Sequence, residues 1–552
     1  MKKESFIIFA IALLTWLGCT ALAKQDQNST SSDVNASDKT DVVKIAPIAP
    51  PQTLMVPPMA YDDSSIILIW SKPSDYSNAA SYNVYKNGAL AGNTKNLFYE
   101  VSGLDANSSY SFTVKAAGNS GTESAASNTV TQSTAPAMKV FNVADYGALG
   151  DGTTLNTAAI QKAIDKCTKG GKVLIPSGTF LSGALFLKSN MTLQIDGTLL
   201  GSDNAADYPL KCMRFPYHLS GKNYMGLINA YTKKYGKITN VRICGSGNVC
   251  GGTWAGGRAI DTTLGINEKA ANRGNDSARG DMIVVKGITN FYIGGLTLTN
   301  PAMHTIFITY SKNITVNGIT VSTYNIHNAD GINICTSDTA YVFNSTFDTG
   351  DDCINLNAGI GADGVKENFP DNNLRIFNCT TKRGHGGVAF GSFTAAWIQN
   401  VLIEDCVFDG TDRGLRFKTG ESNGGGARNV LCRDIIIRNI AREAAILLDS
   451  NYPPSKYPSA GPGQFKDITI KNITCTDLKK YGIYVNGLPD TPHNNISISN
   501  VSIDGARQGG VRLKQCTNST FDTVKVTNST PAWIIDSNST SGLTFKNCNP
   551  AP

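Results

Sequence analysis

Short runs in which apolar and polar residues alternate recur along most of the chain. Each run has the form x-Ile-x-Ile-x-(Asn/Asp/Gly)-Ile-x-Val, with Val, Leu and other apolar residues as substitutes, and examples begin at Asn290, Asn313, Asn400, Asn429, Asp467 and Asn495. Adjoining runs start 23 to 38 residues apart. Strict alternation over a few residues is typical of half-buried strands, and a repeat of this length indicates a solenoid.

The length and content of the repeat identify the kind of solenoid. A leucine-rich repeat needs an L-x-x-L-x-L frame, which is absent, and a propeller needs about four strands per 40–45 residues. Two or three short strands per coil of about 20–30 residues instead predict an all-β fold, a right-handed parallel β-helix over residues 138–552. One helix is predicted at Thr157–Cys167, closed by Gly170-Gly171. It is placed to cap the open N-terminal end of the solenoid.

Residues 51–136 carry a different pattern, of short strands separated by frequent turns. The strands centre on Ile66–Trp70, Tyr82–Tyr85 and Tyr110–Val114. This spacing predicts a small β-sandwich ahead of the β-helix. The segment resembles a fibronectin type III module, with Trp70 as the core tryptophan and Gly103-Leu104 with Tyr110 as the tyrosine corner. Nothing in it indicates catalysis, and we expect a spacer or a substrate-presenting module.

The N-terminus has the features of a secretory signal. A basic start precedes the apolar run Phe6–Gly18, which is too short to span a bilayer, and Ala21–Ala23 is an A-x-A cleavage site. We therefore expect a signal peptide over residues 1–23 and a secreted or periplasmic protein, with lipid attachment at Cys19 as an alternative. Residues 24–50 are rich in Ser, Asp, Asn and Thr and predict a disordered linker.

Composition narrows the classes of function. Hydrophobic residues make up 41% of the chain and charged residues 17%, which excludes wholesale disorder. The net charge of +6 is small for 552 residues, and no run of Lys and Arg is interleaved with aromatic residues, so neither nucleic acid nor a membrane is a predicted partner. A modest positive excess suits a polyanionic substrate if the charge is focused in one groove.

Cysteine spacing follows the repeat. Cys353, Cys379, Cys406 and Cys432 are separated by 26, 27 and 26 residues. We expect buried thiols stacked coil on coil, with disulfides as the alternative that an oxidising compartment permits. The sequence has no C-x-x-C and no His pair at helical spacing, so zinc is not predicted.

Four polar clusters fall on successive coils of the predicted β-helix. They are Asn328-Ala329-Asp330-Gly331, Gly350-Asp351-Asp352-Cys353, Gly384-His385-Gly386-Gly387 and Arg416-Phe417-Lys418. The intervals from Asp330 to Asp351 to His385 to Arg416 are 21, 34 and 31 residues. With neighbouring strands about 4.8 Å apart, one cluster per coil brings three carboxylates, one imidazole and two cations within roughly 15 Å on one face.

Each cluster alone has a structural explanation, because Asp and Asn cap turns, an Asp pair could bind calcium and Gly-His-Gly could be a tight turn. Together they favour chemistry, since the adjacent charges of Asp351 and Asp352 are unfavourable unless compensated or used. Crowded carboxylates suit glycoside hydrolysis, in which one stays protonated as the acid while the others activate water. An acid and a base on different coils leave room for that water, which predicts inversion. Arg416 and Lys418 suit an anionic sugar.

In this order the four clusters resemble glycoside hydrolase family 28, the polygalacturonases, whose pattern is N-T-D, G-D-D, G-H-G and R-I-K. Ala329 stands in the Thr place and Phe417 in the Ile place, and neither change removes a charged group. The resemblance implies a secreted enzyme that cleaves the α-1,4-galacturonosyl linkages of polygalacturonate without a cofactor or metal. We expect it to act as a monomer.

The resemblance also implies roles for the acidic cluster. Asp351 is expected to be the general acid, and Asp330 and Asp352 are expected to activate the water. His385 is expected to support the protonation state of the acid.

Substrate binding is expected from four further residues. Arg416 and Lys418 are expected to hold a galacturonate carboxylate at the cleavage site, and Asn328 to add a hydrogen bond. Tyr452, within Asn451-Tyr452-Pro453-Pro454, is expected at the floor of the sugar site.

Exo action is the expected mode. The module ahead of the β-helix resembles that of bacterial exo-acting members, as do Asn300–His304, Ala395–Ile398 and Gly424–Asn429. The long stretches Trp254–Asp281 and Ile360–Asn372 could wall off the groove, which predicts release of digalacturonate or galacturonate from the non-reducing end. Endo action, a calcium-dependent pectate lyase and a β-helix that only binds polysaccharide remain as alternatives.

Overall fold

The computed structural model describes most of the chain after the expected linker. The described residues are 48–216, 223–233, 235–252, 279–453 and 457–552. The predicted signal peptide, nearly all of the predicted linker, and the stretch 253–278 that was expected to help close the groove lie outside them.

Residues 52–133 form two small antiparallel sheets, which fit the predicted β-sandwich. Their strands are β1 (Gln52–Met55), β2 (Ile66–Ser71), β3 (Ser81–Lys86), β4 (Ala89–Thr94), β5 (Phe98–Val101), β6 (Ser109–Ala117) and β7 (Val130–Ser133). The sheet orders are β1-β2-β5 and β4-β3-β6-β7. Trp70 is fully buried against Tyr82, and the N–H of Asp105 donates to the Tyr110 hydroxyl at 3.0 Å. The likeness to fibronectin type III stays a prediction.

The rest of the described chain is built almost wholly of short strands. They are β8 (Val140–Asn142), β9 (Asp151–Leu155), β10 (Gly171–Ile175), β11 (Thr179–Ser182), β12 (Leu185–Phe186), β13 (Met191–Ile195), β14 (Thr198–Gly201), β15 (Leu210–Cys212), β16 (Asn223–Tyr224), β17 (Ile228–Tyr231), β18 (Ile238–Cys244), β19 (Asn248–Cys250), β20 (Ile283–Lys286), β21 (Ile288–Gly294), β22 (Thr297–Thr299), β23 (Ile306–Thr309), β24 (Lys312–Asn317), β25 (Thr320–Ser322), β26 (Ile332–Cys335), β27 (Asp338–Phe343), β28 (Thr346–Asp348), β29 (Ile354–Asn357), β30 (Asp371–Phe377), β31 (Thr380–Thr381), β32 (Val388–Phe390), β33 (Ile398–Glu404), β34 (Val407–Asp409), β35 (Leu415–Lys418), β36 (Gly426–Ile440), β37 (Ala444–Asp449), β38 (Gln464–Leu478), β39 (Tyr481–Asn486), β40 (His493–Ala506), β41 (Gly509–Lys514), β42 (Cys516–Thr517), β43 (Thr520–Thr527), β44 (Trp533–Ile535), β45 (Thr540–Ser541) and β46 (Thr544–Lys546).

Apart from β15 and β16, which pair with each other in an antiparallel sheet, these strands form the predicted parallel β-helix. Twelve of them, β12, β17, β20, β23, β26, β29, β32, β35, β37, β39, β41 and β44, make one parallel sheet, which we call the front sheet. A 25-stranded sheet, which we call the back sheet, folds around the remaining sides of the coils. Alternate residues of the front sheet point inward and stack, as in the buried row Ile306, Ile332 and Ile354.

The backbone conformation at the start of each run explains why Asn recurs there. Asn190, Asn240, Asn290 and Asn313 all have φ between 56° and 63°, the left-handed region that Asn tolerates better than most residues. Their side chains form a ladder, since each amide nitrogen donates to the amide oxygen one coil earlier at 2.8 to 2.9 Å. The repeat therefore fixes both the turn and the stacking of the coils.

Two α-helices lie in the described residues. The predicted helix forms as α1 (Thr157–Lys166), and its buried face of Ile160, Ala163 and Ile164 covers the first coil, as expected for a cap. The second helix, α2 (Gly361–Glu367), lies inside the stretch that was expected to wall the groove. Two short 3-10 helices occur at Val143–Tyr146 and Ala205–Asp207.

The regularly spaced cysteines are buried free thiols, but they do not form a single stack. Thr380 pairs with Val407, so Cys379 and Cys406 occupy equivalent positions on adjacent coils. Cys432 instead lies beside Ile403, and Cys353 belongs to the turn before β29. Their spacing reflects coil length, and the turns vary enough to shift the other two positions.

The sandwich packs against the back sheet. Phe98 lies 5.5 Å from Phe343 between ring centroids, and the Lys72 ammonium lies 2.6 Å from both Asp405 and Asp434. Because this contact is on the back sheet, the sandwich does not cover the front sheet through it.

Candidate active site

The four polar clusters lie on, or in the turns just before, neighbouring strands of the front sheet. Asp330 and Asp352 each stand two residues before a strand, at the start of β26 and β29. The backbone ladder continues through these turns, because Gly331 N–H donates to Asp352 O at 3.0 Å and Cys353 N–H donates to Gly386 O at 2.9 Å. The predicted residues therefore share one side of the β-helix on successive coils.

Asp352 is held by the two cations of the fourth cluster. Arg416 Nη1 lies 2.8 Å from its Oδ1 and Lys418 Nζ lies 2.7 Å from its Oδ2, while its side chain is only 1% exposed. Burial acts to raise the pKa of this carboxyl, but the charges of Lys418 and Arg416 outweigh it and hold the pKa below the usual value. Asp352 is therefore ionised.

Asp351 pairs with His385. The His385 Nδ1 lies 2.8 Å from Asp351 Oδ1, and the Asp352 N–H donates to the same oxygen at 2.9 Å. Burial favours the neutral acid, but the hydrogen bond from His385 and the charges of His385, Lys418 and Arg416 lower the pKa of Asp351. The same hydrogen bond raises the pKa of His385 above its ordinary value of 6.5.

Of the three carboxyls, Asp330 is the one whose pKa is raised. Its Oδ2 accepts hydrogen bonds from Asn333 Nδ2 at 3.0 Å and Asn355 Nδ2 at 3.2 Å. Burial and the negative charges of Asp351 and Asp352 raise its pKa well above the usual carboxyl value. Crowding was expected to raise the pKa of Asp351; it raises that of Asp330 instead, because Asp351 has His385 as a partner.

Asn328 is fixed by a buried arginine. Its φ is 55°, and Arg279 Nη2 donates to its Oδ1 at 2.7 Å. This contact turns the Asn328 amide nitrogen toward Asp351 Oδ2, at 3.4 Å. Arg279 thereby orients a predicted site residue, and no motif in the sequence pointed to it.

Tyr452 lies at the edge of the cationic pair. Its ring centroid is 5.5 Å from Lys418 Nζ, and its hydroxyl accepts a hydrogen bond from Ser392 Oγ at 2.8 Å. The structure thus brings all eight predicted residues into one neighbourhood of the front sheet.

A second histidine faces the cluster and was not predicted as a site residue. His304 Nε2 lies 3.9 Å from Asp330 Oδ1, and its Nδ1 lies 2.8 Å from Asp281 Oδ1. Arg214 binds the Asp281 carboxylate through Nε at 2.8 Å and Nη2 at 2.6 Å. Burial lowers the pKa of His304, although Asp281 opposes this effect.

The sequence repeat could have identified Asp281 and His304 as site residues. Each stands two residues before a front-sheet strand, as Asp330 and Asp352 do, and Ile283, Ile306, Ile332 and Ile354 pair in register. Aligning the chain on these strands therefore puts all four polar residues in one row.

The front sheet is covered on the N-terminal side of the cluster. Phe307 lies on the same outward row as Asn333, Asn355, Ala389 and Arg416. The Phe215 ring packs on Phe307 at 6.4 Å, and the two side chains belong to residues that are 2% and 4% exposed. The outward row is thus blocked by apolar rings one coil before Asn333.

The segment Ile360–Asn372 adds a side wall. Ile360 is buried in a cluster with Phe215 and Tyr310, and Ala362 N–H donates to Pro458 O at 3.0 Å. The Tyr310 hydroxyl donates to Glu367 at 2.6 Å. This wall lies beside the C-terminal ends of the front-sheet strands, whereas the carboxylates lie at the N-terminal ends.

The described ranges contain neither a metal-binding cluster nor a membrane-spanning helix. Within them no three His, Cys, Asp or Glu side chains are grouped so that they could hold a metal ion. No helix there has the length and hydropathy needed to cross a membrane.

Comparisons with known proteins find one matching family and several similar chains. The sequence model of glycosyl hydrolases family 28 matches residues 167–530. An exo-poly-alpha-D-galacturonosidase of Dickeya chrysanthemi is 37% identical over 526 residues, which cover 82% of this chain and 87% of that protein.

Solved structures give the same result. The family 28 exopolygalacturonase of Yersinia enterocolitica is 34% identical and superposes with a TM-score of 0.82, covering 90% of this chain and 98% of its own. An exopolygalacturonase of Thermotoga maritima, at 24% identity and a TM-score of 0.59 over 72% of this chain and 92% of its own, shares the fold.

Proposed function

The chain belongs to glycosyl hydrolases family 28, and on this basis we propose that it hydrolyses the α-1,4-galacturonosyl linkages of polygalacturonate in the exo mode. The observation that carries the proposal is the set of three carboxylates, one histidine and two cations that lie on, or in the turns just before, four adjacent strands of the front sheet. We further propose that the cleavage inverts the anomeric configuration and that the enzyme is exported.

Asp351 is the proposed general acid. Three interacting carboxylates share their protons as a set, and the charges around them decide which oxygen carries one. A substrate carboxylate that binds at Arg416 and Lys418 adds negative charge beside Asp351. It also partly neutralises the two cations that lower the pKa of Asp351. Both effects raise the proton affinity of Asp351, so that it can protonate the leaving glycosidic oxygen.

Asp330 and Asp352 are the proposed partners of the attacking water. Transfer of the shared proton from Asp330 toward Asp351 leaves Asp330 ionised and able to accept a proton from water. Asp352 stays ionised beside its cations and orients the same water. Asp330 and Asp351 stand on adjacent coils, and inversion needs an acid and a base far enough apart to leave room for the water.

Arg416, Lys418, Asn328 and Tyr452 are the proposed sugar contacts. The guanidinium group suits bidentate binding of a uronate carboxylate, and the ammonium adds a point charge. The Tyr452 ring offers an apolar face for the sugar beside Lys418.

The blocked end of the groove supports exo action. The rings of Phe215 and Phe307 cover the row one coil before Asn333, so a polymer chain that enters from the other side must end near the carboxylates. The side wall that contains α2 packs against Phe215 through Ile360 and so borders the blocked end of the groove. A groove closed at one end favours cleavage of short units from a chain terminus.

Digestion of polygalacturonate in EDTA tests this proposal. We expect full activity and one small saturated product among the first species separated by chromatography. A ladder of oligomers would support endo action instead. An unsaturated product, or loss of activity in EDTA, would support a calcium-dependent lyase.

We expect His385→Gln to remove from the kcat/KM profile the alkaline limb that follows loss of the His385 proton, because glutamine does not titrate in this range. The pKa of His385 is raised by Asp351, so the charged imidazole persists above pH 6.5 and is lost as the pH rises through that raised value. The variant also loses the hydrogen bond and the charge that lower the pKa of Asp351, so the pKa of that carboxyl should rise. A profile of kcat/KM from pH 4 to pH 9 measures the limb, and an unmoved limb would contradict the role given to His385.

A further inference from the structure

The Arg-x-Lys motif of the active site occurs a second time on the front sheet. Arg416-Phe417-Lys418 lies on β35, and Arg512-Leu513-Lys514 lies on β41. The middle residue points inward in both, since Phe417 and Leu513 are at most 1% exposed. The flanking cations of both motifs therefore point outward.

The register places the second pair on the same two outward rows as the first. One row runs from Arg416 through Leu447 and Tyr484 to Arg512. The other row runs from Lys418 through Asp449 and Asn486 to Lys514. The two pairs are three coils apart, or about 14 Å at the usual strand spacing.

Arg512 is held in place by two tyrosines. Its guanidinium carbon lies 5.0 Å from the Tyr484 ring centroid and 5.5 Å from that of Tyr481. Its Nη1 also donates to the Tyr481 hydroxyl at 3.0 Å. An arginine that is stacked in this way needs little further ordering when it binds an anion.

The second pair differs from the first in its acidic partners. Arg416 and Lys418 both hold the Asp352 carboxylate, whereas in the described part of the chain no carboxylate forms an ion pair with Arg512 or Lys514. The acidic residue on these rows between the pairs is Asp449. Its Oδ1 already accepts from Asn486 Nδ2 at 2.7 Å and from the Asn451 N–H at 3.0 Å.

We propose that Arg512 and Lys514 form a second carboxylate-binding site, for a uronate unit of the polymer that lies several units away from the bond being cleaved. The site stands on the side of the active site away from Phe307, where the outward row is not covered by the Phe215 ring. The rings of Tyr484 and Tyr481 offer apolar faces to the same sugar. This inference rests on the proposed function, because it assumes a polyuronate in the groove.

The double variant Arg512→Gln/Lys514→Gln tests the site. We compare kcat/KM on polygalacturonate with kcat/KM on the shortest oligomer that is cleaved. The ratio of the two should fall about fivefold, because KM for the polymer rises, and this size is usual for exposed charge pairs. The difference from wild type should shrink in high salt, which screens exposed charges. The matched control is Lys525→Gln/Lys546→Gln, which removes two exposed cations from the back sheet.

Three results would overturn the second site: an unchanged ratio, an equal fall on both substrates, or an equal fall in the control. Binding of polygalacturonate to the Asp351→Asn variant, with and without the two further changes, separates the site from the proposed function. If wild type does not cleave polygalacturonate, the proposed function fails, while about fivefold weaker binding of the polymer still supports the site and unchanged binding refutes it.

Discussion

Asp351→Asn is expected to lower kcat on polygalacturonate by about 10²- to 10⁴-fold, the usual contribution of a general acid. The amide keeps the shape of the side chain but cannot deliver a proton to the leaving oxygen. It also keeps an acceptor oxygen for His385 Nδ1 and the Asp352 N–H, so the fold should persist. Initial rates of reducing-end release measure the loss, and circular dichroism checks the fold.

Asp348→Asn is the matched control for this variant. Asp348 lies three residues earlier on the same coil, where its carboxylate pairs with the half-exposed Arg383. We expect its kcat to stay within twofold of wild type, because surface ion pairs contribute about 1 kcal/mol or less. If Asp351→Asn kept more than a tenth of wild-type kcat, Asp351 could not be the acid.

Asp281→Asn is expected to lower the free energy of unfolding by about 3–5 kcal/mol, the usual result of removing one partner from a buried ion pair. The Asp281 side chain is fully buried, and Arg214 is 11% exposed, so the change leaves a buried guanidinium without its counter-charge. An asparagine can keep its oxygen toward His304 Nδ1, but its amide nitrogen then faces Arg214 Nε, which is also a donor. Denaturant unfolding followed by circular dichroism measures the effect.

A surface pair provides the comparison for Asp281. Asp409→Asn removes the partner of Arg438, and these side chains are 32% and 49% exposed. We expect a loss of about 1 kcal/mol or less for this variant. Equal losses for Asp281→Asn and Asp409→Asn would show that the Arg214–Asp281–His304 group does not stabilise the coils next to the active site.

The fold was predictable because the repeat carries its own geometry. Alternation fixes which residues point inward, and an Asn with positive φ fixes where each coil turns, so the sequence alone indicated the β-helix. The helix α1 followed from its apolar spacing and its closing glycines. The packing of the sandwich on the back sheet was not predictable, because it depends on single contacts such as Lys72 with Asp405 and Asp434.

The sequence predicted which residues form the site better than it predicted which of their carboxyls has a raised pKa. One cluster per coil was enough to bring Asp330, Asp351, Asp352 and His385 together. The position of the proton depends on burial and on which carboxyl has a partner within hydrogen-bond distance. Asp351 has His385 at 2.8 Å and Asp330 has two amides, and a sequence pattern does not give such distances.

Arg214, Asp281 and His304 show a different limit. Asp281 and His304 could have been found by aligning the positions that precede the front-sheet strands. Arg214 lies in a segment with no repeat, 67 residues before Asp281, and only folding brings its guanidinium to the carboxylate. The Phe215 ring that blocks the groove comes from the same segment and was missed for the same reason.

Proton NMR of polygalacturonate during digestion in EDTA tests the central claim most directly, because it reports bond cleavage, product size and anomeric configuration together. The account predicts that one short saturated product appears first as the β anomer, as inversion of an α linkage requires. A product that appears first as the α anomer, a mixture of long oligomers, or signals of an unsaturated sugar would contradict it.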